Sequence, residues 1–322
     1  MFGRTRRPHP SYFGSRRTPR RRRSFLSPRL IIALFVALTG LVTYYGTKST
    51  NEVTGEVQRV RLTPEQEVAL GLEAAPDMAA QHGGLYEDEG IQRYVEEVGQ
   101  RIVERSGAAK GGYEFDFHVL ADPQTVNAFA LPGGQVFITV ALLSKLRDES
   151  ELAAVLGHEV AHVVARHGAE HLAKAGLTQA LVGAAAIGSW DSENPYRSVR
   201  TAAMAQAVGS LLNLRYGRND ELESDALGVR FAAEAGYDAR GMLGLMNVLS
   251  NAGGRGGQPE FFSTHPNPEN RIAQLQQHIQ RYGADGGEKN EERFAREVLS
   301  RLGGTQRDDF GVGGSGTGTG GW

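Results

Sequence analysis

The residues in this 322-residue chain that point most directly to chemistry are His158, Glu159 and His162 in the segment HEVAH. They lie within a stretch from Asp148 to about Lys174 whose pattern predicts one long helix. Side chains four residues apart lie on one face of a helix, so both imidazoles can bind the same metal ion. Glu159 then stands beside the open coordination position as general base for a metal-bound water. The segment predicts a catalytic Zn²⁺ site, and the alternative is a chance match on an amphipathic helix.

A catalytic zinc needs a third protein ligand, and the segment that begins at Arg218 offers the best candidates. Glu221 and Asp225 are four residues apart, so on a helix they face the same way. One of them binds zinc while the other orients a ligand imidazole. Alternatively, these acidic residues only complement the dipole at a helix start. We expect Arg218 to lie beside the same site.

The chain contains no cysteine, which excludes disulfides, thiolate zinc ligands, a cysteine nucleophile and a lipid-anchored cysteine. A metal ion must therefore be held by histidine and carboxylate side chains. His167 and His171 form a second pair at the same spacing as the HEVAH histidines. If the predicted helix runs through them, His167 faces away from His158, and we assign no metal to this pair.

The N-terminal region predicts a membrane anchor. Residues 1–29 hold ten arginines and no acidic residue, whereas the remainder of the chain is net acidic. Residues 30–47 are uncharged, and the pair Tyr44-Tyr45 lies where an interfacial aromatic belt is expected. The positive-inside rule places the N-terminus in the cytoplasm and the body outside it. A cleaved signal peptide and a mitochondrial leader are the alternatives, and we set nucleic-acid binding by the arginines aside.

The body is expected to be one domain, residues 62–282, after a linker at 48–61. A helical pattern runs from Thr63 to about Arg105, and Tyr113–Leu120 alternates as a half-buried strand does. A hairpin is predicted from Val126 to Val140, with its turn at Pro132-Gly133-Gly134. Further helices are predicted at 220–234 and after Pro268. Residues 176–214 predict two small-residue helices or a lid, 283–302 a short polar linker and helix, and 303–322 a glycine-rich disordered tail.

These motifs resemble the HtpX/BepA/Oma-type family of zinc metalloendopeptidases, to which the CAAX prenyl protease is related. The resemblance covers about residues 62–282. It rests on HEVAH, Glu221 with Asp225, Ser263-Thr264-His265-Pro266 with Arg271-Ile272, Gln66-Glu67 with Gly71, and Asn127–Ala130 with Pro132-Gly133-Gly134. The single predicted span resembles the BepA and Oma branch. The implied fold class is α+β, mainly α: a zincin-like domain with an HExxH helix and a small sheet, preceded by one transmembrane helix.

The resemblance implies one zinc ion held by His158, His162 and Glu221, with Glu159 catalytic and Asp225 orienting a ligand. It also implies that His265 approaches the zinc, either to stabilise the oxyanion or as a reversible fourth ligand that keeps the enzyme latent. Glu223 lies two residues from Glu221, on another helix face, and matches no ligand position.

The hairpin can also bind substrate, because a strand edge beside the zinc can pair with an extended peptide. The expected substrate-binding residues are Asn127, Ala128, Phe129, Gly133 and Gly134. The alternative is an ordinary core hairpin, and both readings can hold together.

The preferred function is a membrane-anchored zinc metalloendopeptidase that acts on unfolded or misassembled proteins. The resemblance implies quality control at a bacterial inner membrane, with the catalytic domain outside the cytoplasm, or alternatively at the mitochondrial inner membrane. Two other classes stay open. One is a metal-dependent chaperone or assembly factor with latent proteolysis, and the other is a membrane-tethered adaptor whose motif is accidental.

Overall fold

The computed structural model describes residues 28–189, 215–252, 259–268, 270–283 and 286–303. Several sequence-based predictions lie outside these ranges: the arginine-rich tail, most of the second small-residue helix or lid, and nearly all of the C-terminal tail. The helices are α1 (Pro28–Gly46), α2 (Pro64–Gln81), α3 (Glu89–Arg105), α4 (Val140–Leu143), α5 (Glu149–Val164), α6 (His167–Ser189), α7 (Arg218–Glu234), α8 (Gly241–Ala252), α9 (Phe261–Thr264), α10 (Arg271–Tyr282) and α11 (Glu291–Phe294). A 3₁₀ turn at Gly107–Gly111 and a π turn at Ala295–Leu299 complete the helical segments.

The strands form two small sheets. β1 (Lys48–Thr50) pairs antiparallel with β2 (Val57–Arg59). The second sheet has the order β3 (Asp116–Leu120), β5 (Gln135–Thr139), β4 (Ala128–Ala130). β5 runs parallel to β3 and antiparallel to β4. The predicted hairpin is confirmed, and it leaves β4 at the edge of its sheet.

The helical stretch predicted at 63–105 is two helices. Thr63 caps α2 in a capping box with Gln66, as the sequence Thr-Pro-Glu-Gln favours. The chain then turns through Gly83 and Gly84, whose φ angles of 80° and 85° suit glycine. Asp88 caps the start of α3 by accepting from the amides of the next helical turn. The stretch is helical as predicted, and two adjacent glycines reverse the chain between its two helices.

The helix that carries HEVAH also ends earlier than its pattern suggested. Asp148 caps α5 by accepting from Glu151 N. The helix stops at Val164, and Arg166 has a φ of 59°. An ion pair to Glu67 of α2 holds Arg166 in this left-handed conformation. A second helix starts at His167, so directions extrapolated along α5 do not apply beyond it.

The core is built around α5, whose residues are buried along its whole length. It packs against α3, α7, α8 and the edge strand β4. Gly157 of α5 meets Gly228 of α7 so closely that a Cβ on Gly228 would lie 3.0 Å from His158 N. The two backbones can approach this closely because neither residue has a side chain at the crossing. This contact brings the acidic start of α7 to the HEVAH face of α5.

The N-terminal helix packs along α6, where Gly40 lies against Ala180. Its other side exposes apolar side chains, including Leu34, Phe35 and Val42. Among the residues described, no helix combines the length and the apolar character that crossing a membrane requires.

Candidate active site

Four buried side chains bring their donor atoms together between α5, α7 and α9. His158 and His162 come from α5, Glu221 from the first turn of α7, and His265 from the residue that ends α9. One donor atom from each lies within 4.8 Å of the others. Each of the four side chains is at most 1% exposed. Of the residues proposed as zinc ligands from the sequence, all three meet here, and His265 joins them.

The separations between these donors suit a zinc ion. His158 Nε2 lies 3.1 Å from His162 Nε2, 3.4 Å from His265 Nδ1 and 3.6 Å from Glu221 Oε2. Glu221 Oε1 lies 3.5 Å from His162 Nε2 and 3.0 Å from His265 Nδ1. Ligands placed ~2.0–2.1 Å from a tetrahedral zinc are about 3.3 Å apart. The residues therefore fit the ion in both donor type and spacing.

Buried polar atoms at the site also need a further partner. Within the described part of the chain, both carboxylate oxygens of Glu159, Oε2 of Glu221 and Nε2 of His265 have no hydrogen-bond partner. Buried polar atoms in folded proteins are normally satisfied, so such a group of orphans indicates a place for a ligand. A metal ion held by the four donors would satisfy part of this group.

The electrostatics of the cluster favour metal binding. Burial lowers the pKa of His162 well below its ordinary value, so its imidazole is neutral, the form that binds metals. Burial alone would raise the pKa of Glu221, but the charge of His265 and the hydrogen bond to His162 lower it well below its ordinary range. For His265, burial opposes protonation, yet the charges of Glu221 and Glu159 raise its pKa.

Glu159 is completely buried beside the donors, with Oε1 3.6 Å from His265 Nε2. Burial raises the pKa of its carboxyl, while the charges of His265 and His158 and a backbone contact from Ala130 act in the opposite direction. A carboxylate with a raised pKa accepts a proton more readily at neutral pH. This environment suits a general base.

Asp225 and Arg271 form a buried layer behind the donors. Asp225 Oδ1 lies 3.1 Å from His158 Nδ1, on the side of the ring away from the cluster. Arg271 donates from Nε and Nη2 to the two oxygens of Asp225, over 2.7 and 2.8 Å. Its Nη1 lies 3.2 Å from Glu221 Oε2. Although burial opposes ionisation, the guanidinium lowers the pKa of Asp225.

The arginine predicted beside the site was the wrong one. Arg218 is exposed at the start of α7 and lines a separate cavity with Pro268 and Asn270. Adjacency in sequence to Glu221 did not bring it inward, because it lies on the solvent side of the first helical turn. Arg271 of α10 takes that role instead, and the motif Arg271-Ile272 was the only sequence signal for it.

Aromatic rings line the other side of the donors. Tyr216 stacks on His162 with ring centroids 3.8 Å apart, and Phe261 stacks on His265 at 4.3 Å. The backbone N–H of Tyr216 donates to Thr264 O over 3.0 Å, which ties the start of α7 to the His265 segment. Sequence reasoning missed Tyr216, since a single tyrosine before a helix carries no distinctive pattern.

A cleft with about 920 Å³ of empty space, partly open to solvent, reaches His265. One wall is formed by the end of α2, with Met78 and His82, and another by Tyr216 and Thr264. Three residues of the hairpin, Asn127, Phe129 and Ala130, also line the cleft. The structure thus brings Asn127 and Phe129, two of the residues expected to bind substrate, to the cleft.

The other hairpin residues have different positions. Gly133 packs so closely on α2 that a Cβ would lie 2.4 Å from Val68 Cα, and Gly134 packs in the same way on Glu114 O. These glycines shape the turn and are not among the residues that line the cleft. Ala128 is fully buried, with its side chain in the core.

One edge of β4 faces away from β5. Phe129 pairs with Phe137, and Thr139 N donates to Asn127 O. The backbone N–H and C=O groups of Asn127 and Phe129 therefore point toward β5. In an antiparallel pair the intervening residues, Ala128 and Ala130, direct their N–H and C=O groups away from the partner strand. The backbone of Ala130 also contacts the Glu159 carboxylate, which acts to lower the pKa of Glu159. This edge of β4 therefore runs beside Glu159.

An HExxH helix, a carboxylate from a second helix and an edge strand together define a zincin-like peptidase domain. The sequence model of peptidase family M48 matches residues 90–279, more than half of the chain. The chain belongs to peptidase family M48.

Curated relatives carry names that agree with this assignment. Mitochondrial metalloendopeptidase OMA1 of Schizosaccharomyces pombe is 35% identical over 189 residues, which cover 57% of this chain and 52% of the relative. The putative beta-barrel assembly-enhancing protease of Vibrio cholerae is 31% identical over 231 residues, 71% of this chain and 47% of the relative. The beta-barrel assembly-enhancing protease of Escherichia coli K12 is 31% identical over 197 residues, 59% and 39%. The chain spans about half of these relatives or less.

Proposed function

We propose that this protein is a zinc-dependent metalloendopeptidase. The observation that carries the proposal is the buried cluster of His158, His162, Glu221 and His265 at tetrahedral spacing, with Glu159 beside it. Membership in a peptidase family and the metalloendopeptidase name of one relative support the same activity.

The mechanism follows from the positions of the side chains. His158, His162 and Glu221 would hold a zinc ion, whose chemistry there would be to acidify the attacking water and to polarise the scissile carbonyl. The buried carboxylate of Glu159 takes a proton from the attacking water and delivers it to the leaving amine. His265 Nε2, which lacks a partner among the described residues, is placed to donate to the developing oxyanion. Asp225 and Arg271 hold the His158 ring in place throughout.

We propose that the substrate is an unfolded or misassembled protein, bound as an extended strand against β4. Main-chain hydrogen bonds between the substrate and the edge of β4 that faces away from β5 would require little sequence specificity. Phe129 and Met78 give the cleft an apolar wall, and apolar segments are what unfolded proteins expose. The names of the bacterial relatives, which refer to beta-barrel assembly, support a role in membrane protein quality control.

We further propose that residues 30–47 anchor the protein in a bacterial inner membrane, with the N-terminus in the cytoplasm and the catalytic domain outside. The ten arginines before this uncharged segment and the exposed apolar side of α1 support the topology. Because the chain has no native cysteine, single substitutions report topology without background. In intact cells, an impermeant maleimide is expected to label Ser300→Cys and not Ser11→Cys. Labelling in the opposite order would refute this orientation. The mitochondrial inner membrane is the alternative location.

One observation favours a second candidate function, a chaperone with latent proteolysis. His265 occupies the fourth corner of the donor cluster, 3.0 Å from Glu221 Oε1, where a catalytic site needs an open position. In this state the enzyme would bind clients without cleaving them. His265→Ala separates the two roles: it raises peptide cleavage if His265 is an inhibitory ligand, and lowers it if His265 stabilises the oxyanion.

The test of the proposed function is hydrolysis of casein by the full chain in detergent. Wild type, wild type with chelator, and Glu159→Gln are compared at equal concentration. Cleavage is expected only in untreated wild type, and it should return when zinc is added back to the chelated sample. Equal cleavage by Glu159→Gln, or cleavage that resists the chelator, would refute the proposal.

A further inference from the structure

The second histidine of HEVAH has a polar contact that the proposed mechanism does not use. The Nε2 atom of His162 faces the donor cluster, 3.1 Å from His158 Nε2. Its other ring nitrogen, Nδ1, lies 3.0 Å from Nδ1 of His167. Both side chains are at most 2% exposed. The sequence pattern predicted that His167 faces away from the site, but the break at Arg166 turns it back onto His162.

If Nε2 of His162 binds a metal ion, the positions of the protons on both His162 and His167 follow from that requirement. To bind a metal ion, Nε2 of His162 must be unprotonated, so the neutral ring carries its proton on Nδ1. That N–H then donates to His167 Nδ1, which must itself be unprotonated. The proton of His167 consequently lies on Nε2, and this atom is 3.3 Å from Glu223 Oε2. The hydroxyl of Ser224, 3.3 Å from His167 Nδ1, contacts the same accepting nitrogen.

We propose that His167 is a positioning residue that fixes the tautomer and the ring orientation of His162, with Glu223 fixing His167 in turn. The inference rests on the proposed zinc site. It gives Glu223, which matches no ligand position, a role one step removed from the metal. Side chains that orient a ligand imidazole in this way typically change metal affinity about 10–100-fold when they are removed.

The same helix then orients both histidines of the motif. Asp225 lies 3.1 Å from Nδ1 of His158, and Glu223 with Ser224 contact the residue behind Nδ1 of His162. Glu221 of this helix also supplies a ligand atom. A single rigid element, α7, therefore sets the ligand carboxylate and the direction of both imidazoles. The close crossing at Gly157 and Gly228 keeps this element in register with α5.

The competing account is that His167 only fills space in the core. Two amide substitutions separate the accounts, because asparagine places its amide near the position of Nδ1 and glutamine near that of Nε2. His167→Asn can still accept the Nδ1 proton of His162, whereas His167→Gln and His167→Leu cannot. His171→Asn, one turn further along α6, makes the same chemical change away from His162 and is the matched control.

The measurement is the zinc dissociation constant of the full chain by chelator competition, with the unfolding temperature of the metal-free protein as a check on packing. We expect His167→Gln and His167→Leu to bind zinc about 10–100-fold more weakly, and His167→Asn and His171→Asn to bind within about threefold of wild type. The visible spectrum of the Co²⁺-loaded protein should change in the first two variants and stay native in the others.

The outcomes distinguish a failure of the proposed zinc site from a failure of the positioning role of His167. If wild type itself binds no zinc, the proposed function fails. If wild type binds zinc and His167→Asn is weakened as much as His167→Gln, or if neither is weakened, the positioning role fails while the zinc site stands. A lower unfolding temperature in all three His167 variants, without a difference in affinity among them, would assign His167 to packing alone.

Discussion

Removing the guanidinium of Arg271 should destabilise the protein strongly. The side chain is fully buried between two carboxylates, with two hydrogen bonds to Asp225 and Nη1 3.2 Å from Glu221 Oε2. In Arg271→Met the volume is largely kept, but both carboxylates lose their buried countercharge. Breaking a buried ion pair by removing one partner typically costs about 3–5 kcal/mol, because the remaining charge is left uncompensated.

Arg271→Lys distinguishes how much of this loss in stability comes from the charge and how much from the hydrogen-bond geometry. Lysine keeps the positive charge but cannot form the paired hydrogen bonds, so we expect an intermediate loss of about 1–3 kcal/mol. The exposed pair of Arg296 with Glu297, 3.0 Å apart, provides the control. Arg296→Met should change the free energy of unfolding by about 0–1 kcal/mol, as surface ion pairs do.

The assay is urea unfolding of each variant in the presence of chelator, so that zinc does not compensate for the lost charge. A loss of less than about 1 kcal/mol for Arg271→Met would refute the reasoning, since it would fall within the range of a surface pair. Equal losses for Arg271→Met and Arg271→Lys would show that the fork geometry, and not the charge, carries the effect.

Three further predictions concern the metal, the turn and the pH dependence. Zinc at about 100 times its dissociation constant should stabilise the wild type by about 2.7 kcal/mol in urea unfolding, and His158→Ala should lose this gain. Gly71→Ala should lower the free energy of unfolding by about 1–3 kcal/mol, because the added Cβ would lie 2.1 Å from Pro132 O. Gly46→Ala is the control, since a Cβ there meets no atom within 4 Å. Equal losses of stability in the two variants would contradict the steric argument. Although burial opposes it, hydrogen bonds from Thr125 and His82 lower the pKa of Asp122 below its unfolded value. The stability that Asp122 contributes is therefore present at neutral pH and lost as pH falls below about 4, so the difference between wild type and Asp122→Asn should shrink in acid.

The site residues predicted from the sequence are those that helical periodicity determines. His158 with His162, and Glu221 with Asp225, share a helix face because each pair is separated by four residues, and no tertiary information is needed for that. The order of the strands around the hairpin turn also followed from local signals. Helices α5 and α7 are brought together by the crossing at Gly157 and Gly228. The sequence contains one glycine in each helix, and nothing in it indicates that these two glycines contact each other.

The errors came from places where tertiary contacts override local pattern. No glycine or proline marks the end of α5 at Val164. The chain turns at Arg166, which adopts a positive φ and pairs with Glu67 of α2. His167 was consequently placed on the wrong side. Arg218 was chosen for its closeness in sequence to Glu221, whereas Arg271 reaches the site from a helix that sequence reasoning could not orient.

The most direct test of the zinc site is X-ray absorption spectroscopy of the full chain loaded with one equivalent of zinc, measured for wild type and Glu159→Gln. The structure predicts nitrogen and oxygen ligands at about 2.0–2.1 Å, a clear imidazole contribution from at least two histidines, and the same spectrum in both proteins, since Glu159 is not a ligand. A spectrum without imidazole scattering, or one that changes when Glu159 is replaced, would contradict the assignment of His158, His162 and Glu221 as the ligands.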